Sequence, residues 1–111
     1  MYTLYIGNAF SLSMLSRDVA EDGGYTPVPV HDPRAEIAVF EKAGHAIVSC
    51  VGHQDTAHLF SKLLGREIPC NRVSVKLVAG SAILVGQYVG PRLPEGATEL
   101  PEGASIEWWI V

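Results

Sequence analysis

The sequence predicts an α/β protein: one mixed central β-sheet flanked by helices. Three observations carry that prediction. β-rich runs recur at Tyr2–Ile6, Thr26–Val30, Ala46–Val51, Arg72–Val78, Ala82–Tyr88 and Ser105–Val111. Two intervening segments, one after Asp32-Pro33 and one after Gly52-His53, carry apolar residues at helical spacing. No linker or shift of composition divides the 111 residues, so residues 1–111 are expected to form a single domain.

Each element has its own local signal. Gly7-Asn8 ends the first strand, and Ser11 or Ser13 is available to cap a short helix within Ala9–Leu15. Glu21-Asp22-Gly23-Gly24 reads as a turn, and the prolines of Thr26–Val30 favour an edge strand. Asp32 is a natural N-cap with Pro33 in the first helical position, and Gly44 is the stop. Ala35, Ala38, Val39 and Ala43 are expected to form the apolar face of this helix. Ala46–Val51 is almost wholly apolar, the mark of a strand buried on both faces.

Gly52–Thr56 is the turn out of that strand. Ala57, Phe60, Leu63 and Leu64 then share one face of a helix that Gly65 ends. Arg72–Val78 alternates, and Ala79-Gly80 is a hairpin-length break before Ala82–Tyr88. In the last strand Trp108 and Trp109 should point to opposite faces. Between the last two strands one pentapeptide occurs twice, as Leu93-Pro94-Glu95-Gly96-Ala97 and Leu100-Pro101-Glu102-Gly103-Ala104, and each copy suits a tight turn.

Composition narrows the function classes. Hydrophobic residues make up 48% and charged residues 18%, which argues against disorder. Eight basic against twelve acidic residues give a net charge of −4, unlike a protein that coats duplex DNA. The longest apolar runs, such as Ala82–Val85, are too short to cross a bilayer, and the N-terminus lacks a secretory pattern. A soluble cytoplasmic domain without a membrane partner is expected. Cys50 and Cys70 are too few for a disulfide framework, and two free thiols are favoured over a bridge in that compartment.

Few residues are placed to do chemistry. His53 follows an apolar strand and opens a helix, where outward-pointing amides favour anions such as phosphate. An imidazole there is a candidate proton donor, with a capping or solvent-facing histidine as the alternative. His58 lies about 140° around the helix from His53, so the two share no face. His31 and His45 border turns and are expected to be solvated, and no metal is predicted. Arg72 and Arg92 each adjoin a strand, and Glu95 follows Arg92 by three positions. Such a cation can grip a phosphate while a carboxylate orients it; the alternative is an ordinary surface ion pair. Lys62, Arg66 and Lys76 read as solvated faces. Asn8, Ser11 and Ser13 supply small polar groups at a strand-to-helix junction, and Tyr88 either stacks on a base or packs at an edge.

Taken in order, four motifs resemble one known family. They are Asn8–Leu15, Gly52-His53-Gln54-Asp55-Thr56, Asn71–Leu77 and Arg92-Leu93-Pro94-Glu95-Gly96. The chain is similar along nearly its whole length to the viral type III anti-CRISPR ring nucleases and their bacterial relatives. That resemblance implies a homodimer that binds cyclic tetra-adenylate and cuts it, without metal or cofactor, to linear di-adenylates bearing a 2′,3′-cyclic phosphate. It places catalytic roles on His53, Arg92 and Glu95, and ligand binding on Asn8, Ser11 and Arg72. In a viral owner the site of action is the host cytoplasm. The family often carries Asn where this chain has Ser13, and the segment after Glu95 is shorter and richer in turns than in relatives with a helix there.

The implied chemistry is physically coherent. The substrate supplies its own 2′-hydroxyl nucleophile, so the protein mainly aligns the ribose and stabilises charge. A ring of four phosphates on a two-fold axis meets two identical histidine sites. Because the net charge repels such a ligand, local cations must outweigh it, and binding is expected to weaken with salt. A module that holds a cyclic oligonucleotide without cutting it, and a structural dimer in which His53 only caps a helix, are the competing readings.

Overall fold

Leu4 and Ile6 turn to one side of the first strand and Tyr5 to the other, and this alternation organises two cores, one on each face of a sheet. The computed structural model describes residues 2–15, 25–91 and 99–111. Its elements in chain order are β1 (Thr3–Gly7), a 3-10 turn (Leu12–Met14), β2 (Val28–Val30), α1 (Pro33–Lys42), β3 (Ala46–Ser49), α2 (Gln54–Leu64), β4 (Ala82–Val89) and β5 (Ser105–Ile110). The five strands form one sheet in the order β2-β5-β4-β1-β3. β1 runs parallel to β3 and β4, while β5 runs antiparallel to β4 and β2. The sheet is therefore mixed, and the molecule is a compact α/β domain as the sequence predicts.

Both helices lie on the same face. Ile37 of α1 and Ala57, Phe60 and Leu64 of α2 pack there with Leu4, Ile6 and Leu84. Trp108 joins them, its ring centroid 5.0 Å from that of Phe60. The opposite face is covered by irregular chain, with Val75, Leu77, Phe10, Met14, Leu15 and Tyr25 packing on Ile83 and Val85.

The helix ends follow their sequence signals. Asp32 accepts a hydrogen bond from the Ala35 amide at 3.1 Å, and Pro33 occupies the first turn. The Asp32→Ala variant is expected to lose about 1 kcal/mol of stability, because it leaves that amide without its cap; chemical denaturation measures it. α2 ends at Gly65 in the left-handed region at φ 67°, where other residues pay a steric penalty. Arg34 of α1 crosses to this end and donates to the Leu63 carbonyl at 2.9 Å, setting a cation at the negative pole of α2.

Several expectations need correction. The stripe Ala35, Ala38, Val39 and Ala43 faces outward, with Val39 62% exposed. α1 instead turns Ile37 and Phe40 to the core, because those two side chains bury far more apolar surface than three alanines and a valine. On α2, Leu59 is buried and Leu63 only half-buried. β3 is not buried on both faces as expected: Ala46–Val48 are half-buried, and the strand lies at an edge of the sheet.

Arg72–Val78 is not a strand. Its alternation holds in part, with Val75 and Leu77 buried and Ser74 and Lys76 exposed, but Val73 is exposed too, and among the described residues the segment makes a single parallel bridge, Leu77 to Leu15. The expected hairpin with β4 does not form, since β1 and β5 occupy both edges of β4. His45 is half-buried against Phe40 and Tyr2 rather than solvated, and its Nδ1 has no hydrogen-bond partner.

Other expectations hold. β2 is an edge strand, and Trp108 and Trp109 lie on opposite faces of β5. The second pentapeptide copy is a turn closed by the Ala104 amide on the Pro101 carbonyl at 3.1 Å. The first copy and Glu21–Gly24 lie outside the described residues. Cys50 and Cys70 are both free. Cys70 is exposed, while burial pushes the Cys50 thiol above its ordinary pKa. Among the described residues no helix is long and apolar enough to cross a membrane.

Candidate functional site

The three parallel strands bring the candidate residues toward one end of the sheet. Ile6 is in register with Ser49 and Gly7 with Val85, so the chain leaving β1 at Asn8 lies beside the chain leaving β3 at Cys50. Ligand sites of α/β sheets form at these carboxyl ends. The approach is tight there: the Cys50 amide donates to the Ile6 carbonyl at 2.8 Å, and a Cβ on Gly7 would stand 2.9 Å from Cys50 Sγ.

His53 is the N-cap residue of α2, with φ −126° and ψ 130°. Its carbonyl accepts from the Ala57 amide at 2.9 Å, but its side chain makes no capping bond and is exposed. The imidazole therefore stands in solvent at the positive pole of the helix, where an anion is favoured. Arg72 comes from a distant part of the chain to the residue before it. Its Nη2 donates to the Gly52 carbonyl at 3.3 Å, and Nε lies 3.4 Å from where a Gly52 Cβ would be. The structure thus brings Arg72 beside the His53 turn.

Asn8 lines a different concavity, a cleft of about 460 Å³ on the sheet face away from the helices. Phe10, Pro27, Val85, Gln87 and Trp109 share it. Nothing in the local sequence marks Gln87 or Trp109 as residues of a site. Period-two alternation puts Val85 and Gln87 on one face of β4, and the same alternation sends Trp109 away from the helices. Among the described residues no helix covers that end.

Ser11 lies exposed before the 3-10 turn, its Oγ 2.7 Å from that of Ser13. Ser11 occupies the N-cap position of that turn but its side chain makes no capping bond. Lys76 donates to the Ser13 carbonyl at 2.6 Å, so it fastens this segment instead of only facing solvent. Lys62 and Arg66 pair with Glu99 and Glu41 at 2.7 and 2.9 Å, and Arg66 holds the Glu41 carboxyl below its ordinary pKa. Tyr88 is half-buried and donates its hydroxyl to the Pro91 carbonyl. Arg92 and Glu95 lie outside the described residues. Among the described residues no group of three or more His, Cys, Asp or Glu side chains gathers as a metal site would require.

Comparison with known proteins agrees with this architecture. B116 of Sulfolobus turreted icosahedral virus (STIV) has a similar solved structure, with a TM-score of 0.72 and 23% sequence identity over 97% of each chain. At that identity the likeness is one of fold. No curated protein matches the sequence. The model of the STIV B116-like family matches residues 4–107, nearly the full length, and the chain belongs to that family.

Proposed function

We propose that this protein is a metal-independent ring nuclease, which as a homodimer binds cyclic tetra-adenylate and cleaves it to linear di-adenylates with 2′,3′-cyclic phosphate ends. The observation that carries this reading is the exposed His53 imidazole at the start of α2, with the Arg72 guanidinium on the adjoining Gly52 carbonyl. On this reading His53 is the proton donor and Arg72 the phosphate-binding cation, at a helix start where amides favour negative charge. The four-motif resemblance to the ring nucleases of type III CRISPR systems supplies the substrate.

In this mechanism the ribose 2′-hydroxyl attacks its own phosphorus and its proton passes to solvent. The bond to the 5′-oxygen breaks, and protonated His53 gives that oxygen its hydrogen. Arg92 offsets charge on the phosphorane and Glu95 holds Arg92, while Asn8, Ser11 and Arg72 bind the ring. Two copies of the site across a dimer axis cut opposite phosphates, which yields two di-adenylates. The reaction switches off type III signalling in the cytoplasm.

A single-turnover digest of cyclic tetra-adenylate in EDTA tests this reading, alongside a thermal-shift titration with the same ligand. The expected result is a stabilising shift and release of cyclic-phosphate di-adenylate. A shift without cleavage replaces the nuclease by a binding module. No shift at saturating ligand leaves the structural dimer.

A further inference from the structure

We propose that Asn71 and Ser49 are positioning residues that hold His53 and Arg72 in one fixed relation; as a statement about catalysis this rests on the nuclease reading above. Ser49 ends β3, the chain at 50–53 and the chain at 69–72 are both irregular, and no ladder of strand bonds aligns the two. Four cross-ties do so instead. Ser49 Oγ donates to the Pro69 carbonyl at 2.6 Å, and Asn71 Nδ2 donates to the Ser49 carbonyl at 2.7 Å. The Asn71 amide donates to the Val51 carbonyl at 2.8 Å, and Arg72 Nη2 reaches the Gly52 carbonyl at 3.3 Å. Within the first segment Ser49 Oγ also accepts from the Val51 amide at 3.2 Å.

The chemistry of the two side chains fits this task. Ser49 is 6% exposed, and one hydroxyl there both donates and accepts. Asn71 is half-buried and meets a carbonyl, which requires a donor; a carboxylate in its place would set oxygen against oxygen. Through Asn71 the clamp continues directly into Arg72, and through Val51 it continues into Gly52 and His53. Removing the Asn71 side-chain amide takes away one of the four cross-ties, the one that fixes the Ser49 carbonyl next to the residue that precedes Arg72. Small displacements of a catalytic group are costly in rate, with about 10²-fold lost for a 1 Å error.

The test compares Asn71→Ala with Asp32→Ala, whose lost helix cap lowers stability far from the site. Single-turnover cleavage is measured well below the melting temperature of both, at saturating protein. Asn71→Ala is expected to cut about 10- to 100-fold more slowly than wild type, and Asp32→Ala at the wild-type rate. Backbone amide spectra without ligand form the second arm. The signals of Gly52, His53 and Gln54, and the Arg72 Nε–H signal, should shift or broaden in Asn71→Ala while those of α1 remain in place. A rate within two-fold of wild type, or unchanged signals at these four positions, overturns the proposal. If wild-type protein neither binds nor cuts the ring, the nuclease reading falls, and the spectra alone decide whether the clamp positions these groups.

Discussion

His53→Ala is expected to cut cyclic tetra-adenylate about 10²–10⁴-fold more slowly than wild type in EDTA, while its thermal shift with the ligand is retained. The departing 5′-oxygen is a poor leaving group until it is protonated, and no other residue between Gly52 and Thr56 offers an imidazole. The side chain is exposed and makes no capping bond, so its loss leaves the fold intact. A companion variant separates chemistry from architecture. His53→Asn supplies the capping oxygen that histidine fails to provide, and should raise the melting temperature while cleavage is lost. A histidine that served only as a helix cap would show the opposite pattern, with stability falling and ligand chemistry unaffected. Equal cleavage rates for wild type and His53→Ala remove the proton-donor role.

The largest loss of stability is expected from Phe60→Ala, about 3–5 kcal/mol in chemical denaturation. Phe60 is 1% exposed and fills the space between α2 and the sheet, with its ring 5.0 Å from that of Trp108. The sheet makes room for it at one residue. A Cβ on Gly86 would lie 2.7 Å from Phe60 Cζ and 2.6 Å from Trp108 Cζ3, well inside contact distance. Gly86→Ala is therefore expected to destabilise by about 1–3 kcal/mol through overpacking. Combined with Phe60→Ala, part of that cost should disappear, because the added methyl then enters vacated space. A double-mutant cycle reads the coupling directly, and strict additivity would show that the three groups do not share one packing problem.

Much of the fold was legible because its signals are local. Asp32-Pro33 and Gly65 mark helix ends through backbone geometry that does not depend on distant chain. The prolines around Val28 restrict that strand to an edge, where β2 is found. The readings that failed depended on distant partners. Alternation in Arg72–Val78 reports one wet and one dry side, which holds for Ser74–Leu77 and not for the exposed Val73, but says nothing about whether a strand edge is open to receive it. The apolar run at Ala46 reads as a strand buried on both faces, yet β3 lies at a sheet edge and Ala46–Val48 are only half-buried. On α1, position alone could not weigh Ala35 and Val39 against Ile37 and Phe40.

The candidate site divides along the same line. His53 was visible in the sequence, since an apolar strand followed by a turn and a helical pattern puts an imidazole at a helix start whatever surrounds it. The placement of Arg72 over Gly52 was not visible, because nineteen intervening residues separate Gly52 from Arg72 and hydrogen bonds of Ser49, Asn71 and Arg72 tie the two segments together. Gln87 and Trp109 were missed for a similar reason: a cleft exists only where other elements leave a sheet face uncovered. The sequence by itself determined the α/β class, the helix boundaries and the histidine at the start of α2, all of which follow from backbone preferences and side-chain periodicity within a few residues. Tertiary structure alone decided which strands pair, which side of α1 is buried and which side chains share a cleft, because each depends on competition for surface and hydrogen bonds between segments far apart in the chain.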